Sequence, residues 1–153
     1  MSEEIEVSGT KWRVASYGIE YFNGEEWESI YDYEELIKLL NPDTDWLFEQ
    51  DSDYQGEYFA VGKSKDGKYL FIQGSFGSCS GCDWMQGISD LQDLKRLLNY
   101  HTIEAIIKNS KEEMITYMAQ TLQNVSWSRD ILAKLIAKFS TYEQIKTTEE
   151  KTQ

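Results

Sequence analysis

The sequence predicts an α+β fold, an antiparallel sheet followed by a helical layer, and three observations carry that prediction. The stretch "GEYFAVGKSKDGKYLFIQGSF" (56–76) reads as strand, turn, strand, with apolar residues on both sides of Asp66-Gly67. From about residue 90 onward, apolar residues recur at helical spacing behind serine caps. A chain of 153 residues, 41% hydrophobic and 14% aromatic, supplies enough apolar surface for one core without staples. The expected organisation is a single domain over 1–140 and a frayed tail over 141–153, ending "KTTEEKTQ".

Taken in order, "TKWRVASYGIEYFNGEEWESIY" (10–31) alternates apolar and polar residues around an Asn23-Gly24 turn. It predicts a hairpin, or a strand with an exposed return; Trp12, Val14 and Tyr17 share one face, and Trp27 and Ile30 follow the turn. "DYEELIKLLNP" (32–42) predicts a short helix, with Asp32 as its cap, Glu35 at the third helical position and Pro42 forcing its end. The central hairpin, 57–76, is expected to close through a two-residue type I′ turn at Asp66-Gly67, since glycine takes positive φ at no steric cost. That turn sets Val61 opposite Ile72 and Phe59 opposite Gly74. It groups Tyr58, Ala60, Tyr69 and Phe71 on one face and Phe59, Val61, Leu70 and Ile72 on the other. Both faces are apolar, so the hairpin is expected to be covered on both sides. Three helices follow: 90–107 capped by Ser89 and Gln92, 111–123 capped by Ser110 and Glu113, and 129–139 started by Ser126 or Ser128. Their apolar stripes are expected to be core.

The net charge of −12 is unevenly placed. Residues 1–60 hold sixteen acidic residues against three basic ones, whereas residues 61–153 hold eleven against twelve. Such a field repels DNA, RNA and anionic membranes and attracts basic surfaces, so direct nucleic-acid binding is not expected. Carboxylates mixed with aromatic residues in the first third predict a protein-binding surface: Glu20, Glu25, Glu26, Trp27, Glu28, Tyr31, Asp32, Glu34 and Glu35. The competing explanation is solubility alone. The start, Met-Ser-Glu-Glu, lacks the basic and apolar regions of a signal peptide, and no apolar run nears the ~20 residues of a membrane helix. A cytoplasmic location is expected.

Both cysteines, Cys79 and Cys82, fall in one glycine- and serine-rich stretch, "GSFGSCSGCDWMQG" (74–87). In a reducing compartment a lone pair is metal-binding or redox-active sooner than a structural disulfide. The spacing lets two thiolates converge, and Zn²⁺ takes four such ligands at about 2.3 Å. This is one half-site, with no second CxxC and a single histidine. The remaining donors would come from Asp51, Asp53, Asp83 and His101. Continued outward, the hairpin register sets Asp53 opposite Ser80 and Asp51 opposite Cys82. His101 lies on the apolar stripe of the 90–107 helix, where a satisfied core histidine is commoner than a ligand. Zinc is preferred over a plain structural connection. A thioredoxin-like pair is disfavoured, because Asp83 and the following Trp84-Met85-Gln86-Gly87 make a poor helix start and a carboxylate opposes a thiolate.

No nucleophile elbow, GxxxxGK loop or HExxH motif occurs. Glu25-Glu26, Glu34-Glu35 and Glu112-Glu113 read as solvated faces and helix starts. A nuclease centre at Asp51/Asp53 would lack a basic cradle for phosphate. The expectation is a non-enzymatic protein; the alternatives are a small metal- or thiol-dependent enzyme acting at the CxxC turn and a housekeeping binding module.

"GSFGSCSGCDW", with "YFAVGKSKDGKYLFIQG" leading into it, resembles a segment of small acidic proteins of unassigned function from phages and prophages. Size and charge asymmetry also resemble phage-encoded inhibitors of bacterial defence, including anti-CRISPR proteins. The likeness covers the hairpin and the cysteine turn and transfers no site residue. It implies a basic nucleic-acid-handling partner, such as a CRISPR effector nuclease.

Overall fold

A computed structural model describes residues 3–16, 18–51, 56–77, 83–125 and 128–152, the last eleven as backbone only. The fold is α+β, with two antiparallel four-stranded sheets and four helices. In the first sheet β1 (Glu4–Val7), β2 (Thr10–Ala15), β3 (Gly18–Phe22) and β4 (Trp27–Ile30) lie in sequence order. Helix α1 (Tyr33–Leu40) leads to the second sheet, β5 (Thr44–Gln50), β6 (Gly56–Ser64), β7 (Tyr69–Phe76) and β8 (Ile106–Lys108). Helix α2 (Leu91–Tyr100) precedes β8, and α3 (Lys111–Asn124) and α4 (Arg129–Thr152) follow it.

Two cores result, one on each face of the second sheet. Trp12, Ile19 and Ile30 of the first sheet, Leu36, Ile37 and Leu40 of α1, and Leu94, Leu97 and Leu98 of α2 pack with Tyr58, Ala60 and Ile72. On the opposite face Phe59, Val61, Tyr69 and Phe71 meet Met114 and Met118 of α3 and Leu132, Leu135 and Phe139 of α4. The layers therefore run sheet, α1 with α2, sheet, α3 with α4. Alternation dictates this: successive β6 residues point to opposite faces, and Tyr58 through Val61 are all apolar and fully buried.

The central hairpin is covered on both faces, as expected, but its register differs by one residue. Val61 pairs with Phe71 and Phe59 with Gln73. The loop has three residues, not two: Ser64 N–H bonds Lys68 O, Gly67 N–H bonds Ser64 O, and only Gly67 holds positive φ, at 86°. A type I′ turn needs positive φ at both central residues, which Asp66 does not adopt; a type I turn with a glycine bulge forms instead. One residue of slip moves a whole strand's side chains to the other face. Ile72 thus joins Tyr58 and Ala60, while Tyr69 and Phe71 join Phe59 and Val61.

The 10–31 region forms the hairpin expected around Asn23-Gly24, between β3 and β4, and adds β2 beside it, to which β1 is joined through Ser8 and Gly9, both at positive φ. Three further expectations are corrected. The 90–107 helix ends at Tyr100, because the His101 ring and the Thr102 hydroxyl take the Leu97 and Leu98 carbonyls, and residues 106–108 pair with β7. Its cap is Asp90, which accepts from Asp93 N–H, while Ser89 donates to the Asp93 carboxylate. Helix α4 does not stop at 139 but continues to Thr152, beyond the buried Phe139. Ser110 caps α3 and Asp32 caps α1, both as expected.

Close approach explains Gly74, which lies opposite Tyr58. A Cβ there would land on the Tyr58 hydroxyl and ring. Gly74→Ala is expected to cost about 1–3 kcal/mol by overpacking, read as a lower urea midpoint at unchanged slope.

Candidate functional site

Cys79, Cys82 and Asp53 lie outside the described residues, so the cysteine turn is framed by its flanks. Asp83, 9% exposed, holds both of them. Its Oδ1 accepts from the Tyr33 hydroxyl at 2.6 Å, Met85 N–H at 3.0 Å and Gln86 N–H at 3.4 Å; its Oδ2 accepts from Gly77 N–H at 3.1 Å. Met85 N–H also reaches the Tyr33 oxygen at 3.0 Å. Burying a carboxylate costs several kcal/mol, and these donors, three of them backbone amides, offset that cost. The Tyr33 ring stacks on Tyr58, with centroids 4.3 Å apart. Burial, then the hydrogen bond to Asp83, pushes the Tyr33 phenol up, and burial does the same to Tyr58.

Tyr58 carries the chain of contacts on to His101. The Tyr58 hydroxyl lies 2.6 Å from His101 Nε2, and Nδ1 lies 2.7 Å from Leu97 O. A carbonyl accepts only, so Nδ1 carries the proton and Nε2 accepts from Tyr58. His101 is fully buried, with Tyr100 and Trp84 against its ring. Coordination of a metal at Nε2 would have to displace Tyr58. The register that set Asp51 opposite Cys82 does not form, because the chain before Asp51 is itself a strand, β5, paired to β6. Asp51 bonds Glu57 instead: its N–H donates to Glu57 O at 3.1 Å, and Glu57 N–H donates to Asp51 Oδ2 at 2.9 Å. No set of three His, Cys, Asp or Glu among the described residues is arranged to hold a metal.

The anionic candidates are gathered more closely. The Tyr21 hydroxyl reaches Glu28 Oε2 at 2.8 Å and Glu35 Oε1 at 3.1 Å, so one proton serves two carboxylates. Those hydrogen bonds, Glu28 first, push the Tyr21 phenol above its usual value. Asn23 extends the group: its Nδ2 donates to Glu28 at 2.9 Å, and its Oδ1 accepts from the N–H groups of Glu25 and Glu26. Asp32 caps α1 by accepting from Glu34 N–H, and Glu34 pairs with Lys38 at 2.7 Å. The β3–β4 turn and the first turns of α1 thus form one acidic ridge holding Glu25, Glu26, Glu28, Asp32, Glu34 and Glu35. Tyr31, 77% exposed, stands beside it in the chain. Glu20 and Trp27 lie on the outer face of the first sheet, where Arg13 bonds Glu20 at 2.7 Å and sits 4.1 Å from the Trp27 ring centroid. Tyr17 lies outside the described residues.

Tyr33, expected with the surface aromatic residues of the first third, is buried, and Tyr58, expected as a core position, has a polar partner; Glu57 had no assigned role and Ser128 only that of a helix start. Burial of tyrosine hydroxyls beside the only histidine was the available signal for the first two. Ser128, 1% exposed, donates to Asp51 Oδ2 at 2.5 Å and is shared with the Glu57 carboxylate. Burial, and then the nearby Asp51 charge, raises the Glu57 carboxyl. No pattern in the chain announces that contact, which spans 77 positions.

Among the described residues no helix is long and apolar enough to cross a membrane. Comparison with known protein families, curated proteins and solved structures finds no match to this chain.

Burial holds the His101 imidazole down at about 4, against an ordinary 6.5. The unfolded chain then binds more protons between pH 6.5 and 4, so stability falls as pH drops through that window, by about 3 kcal/mol from this residue at pH 4. Because the chain has one histidine, its ring signals in a proton NMR titration report it directly. The expected midpoint is near 4, and a midpoint near 6.5 would refute the neutral, tyrosine-bonded ring.

Proposed function

We propose that this protein is a non-enzymatic, protein-binding inhibitor whose acidic ridge occupies a basic groove that would otherwise receive nucleic-acid phosphate. The observation that carries this reading is the ridge's composition: seven acidic residues and no lysine or arginine between Arg13 and Lys38, four of them on the β3–β4 turn and α1, with Glu28 on β4 and Asp32 capping α1. The groups that hold the Glu28, Glu35 and Asp32 carboxylates are neutral, namely the Tyr21 hydroxyl, the Asn23 amide and the Glu34 N–H, so these three keep their charge for a partner to meet. Fixed carboxylates present oxygens where phosphates would lie, and Tyr31 adds apolar contact area beside them. The likeness to phage proteins noted above makes a nucleic-acid-handling enzyme of bacterial defence, such as a CRISPR effector nuclease, the first partner to test. Capture from host lysate should recover a basic protein, and its affinity should fall at least about tenfold between 50 and 300 mM salt. Combined Glu25→Lys, Glu26→Lys and Glu35→Lys should abolish capture while the far-UV circular dichroism spectrum of the folded protein is retained. Affinity indifferent to salt and to these reversals would overturn the reading.

We propose further that Zn²⁺ at Cys79 and Cys82 fastens the segment whose flanks Asp83 holds. The chemistry of two cysteines three positions apart supports this, and the Asp83 hydrogen bonds supply a preformed frame. Elemental analysis of protein purified without chelator should find about one zinc per chain, lost in Cys79→Ser together with some thermal stability. Metal-free protein of full stability would sink the proposal.

A further inference from the structure

A cleft of about 480 Å³ opens between the β6–β7 end of the second sheet and α3, remote in sequence from the acidic ridge. Glu57, Gln73, Tyr100, Tyr117, Thr121 and Asn124 line it. Its construction is specific. The Tyr100 hydroxyl donates to the Gln73 carbonyl, which fixes that ring against the strand edge. Tyr117 is fixed from below by an edge contact with Phe71, with centroids 5.9 Å apart. Glu57 is half-buried at the cleft wall, with Asp51 and Ser128 behind it.

We infer that this cleft binds a cation carried on an alkyl chain, a guanidinium or an ammonium, with the Glu57 carboxylate as counter-charge and the tyrosine rings against its stem. Four properties favour that chemistry. A half-buried carboxylate attracts a cation more strongly than an exposed one, because less water screens the pair. Tyrosine faces attract cations within about 6 Å, and Tyr117 already has the Lys108 ammonium 5.2 Å from its ring centroid. Asp51 stands beside Glu57 and Glu104 near Tyr100, against Lys108 at Tyr117, so these four groups sum to a negative charge. Amide oxygens of Gln73 and Asn124 supply the additional acceptors a guanidinium requires. An anionic ligand would meet Glu57 with nothing in the lining to offset it.

The test uses the full chain and three probes: agmatine, spermidine, and the capped peptide acetyl-Gly-Arg-Gly-amide. Each is titrated by ¹⁵N NMR, with resonances of Glu57, Tyr117, Thr121 and Asn124 followed. Saturable shifts at these residues with agmatine or spermidine alone assign the cleft to a free amine; shifts with the peptide as well assign it to a basic side chain of a partner protein. Glu57→Gln should weaken either at least about tenfold, since hydrogen bonds to charged groups contribute roughly 1.5–3 kcal/mol. Tyr117→Leu should weaken binding while Tyr117→Phe, which keeps the ring, does not. Absence of saturable shifts with all three probes, or equal affinity in Glu57→Gln and Tyr117→Leu, overturns the inference. Because the probes report on this cleft alone, failure here leaves the acidic-ridge proposal standing, and the reverse also holds.

Discussion

Strand β6 is buried on both faces, and most of the architecture follows from that one constraint. A strand with a solvent face can place its polar atoms outward, but Tyr58 has no such option and is fully buried. Its hydroxyl needs an internal acceptor, and an unpaired one would cost about 1–3 kcal/mol. His101 Nε2 is that acceptor, which in turn requires His101 to be neutral, Nδ1-protonated and held at the end of α2 by the Leu97 carbonyl. The Tyr58 ring leaves no room for a side chain across the ladder, so glycine occupies position 74. It also stacks with Tyr33, whose hydroxyl reaches Asp83 and so ties the segment after β7 to the first turn of α1. Sheet, helix and loop are thus joined through two phenols and an imidazole. The single histidine is spent on stability, and a fully buried ring with both nitrogens engaged has no means of exchanging protons with a substrate.

Much of this was legible in the chain, and the failures have identifiable causes. The helix caps were readable at Asp32 and Ser110, because serine or aspartate ahead of an acidic first turn has one good local use. The double burial of the hairpin was readable from apolar residues on both parities. The register was not, since Asp66-Gly67 fits both a two-residue and a three-residue loop. The Ser64 hydroxyl, bonded to the Asp66 carboxylate and to Lys68 O, tips the balance to the longer one. Strand β5 was not legible because its apolar run, Trp46-Leu47-Phe48, is short and sits among carboxylates, one of which, Glu49, is matched by Lys134 and Lys138 far along the chain. Strand β8 lay hidden in a helical stripe: Ile106 fits a helix period as well as an edge strand, and pairing to β7 decides between them. The acidic surface was legible as composition but not as grouping. Sequence could say that residues 20–35 are anionic; only the fold sets Glu28 and Glu35 on one hydroxyl.

That grouping has an energetic consequence. Two carboxylates sharing a single proton donor repel each other, and within this ridge Lys38 alone among the described residues supplies a close cation, to Glu34. Exposed pairs of that kind contribute less than about 1 kcal/mol, so the repulsion is largely unrelieved by the protein itself. A soluble protein that needed only negative charge would scatter it, since dispersed charges repel least. Concentration on one turn and one helix start raises that repulsion; the Asp32 cap and the dipole of α1 at Glu34 and Glu35 offset part of it, and a basic surface brought against the ridge would relieve more. If both proposals hold, the ridge and the Glu57 cleft divide the work of recognition along physical lines. Exposed carboxylates act over about a Debye length, roughly 10 Å at 0.1 M salt, and set encounter rate and orientation. A half-buried carboxylate between aromatic rings acts only at contact, where it discriminates by shape and by the number of hydrogen bonds a cation can donate. If both engage the same partner, salt will change how fast the complex forms, whereas substitutions at Glu57 will change how long it lasts.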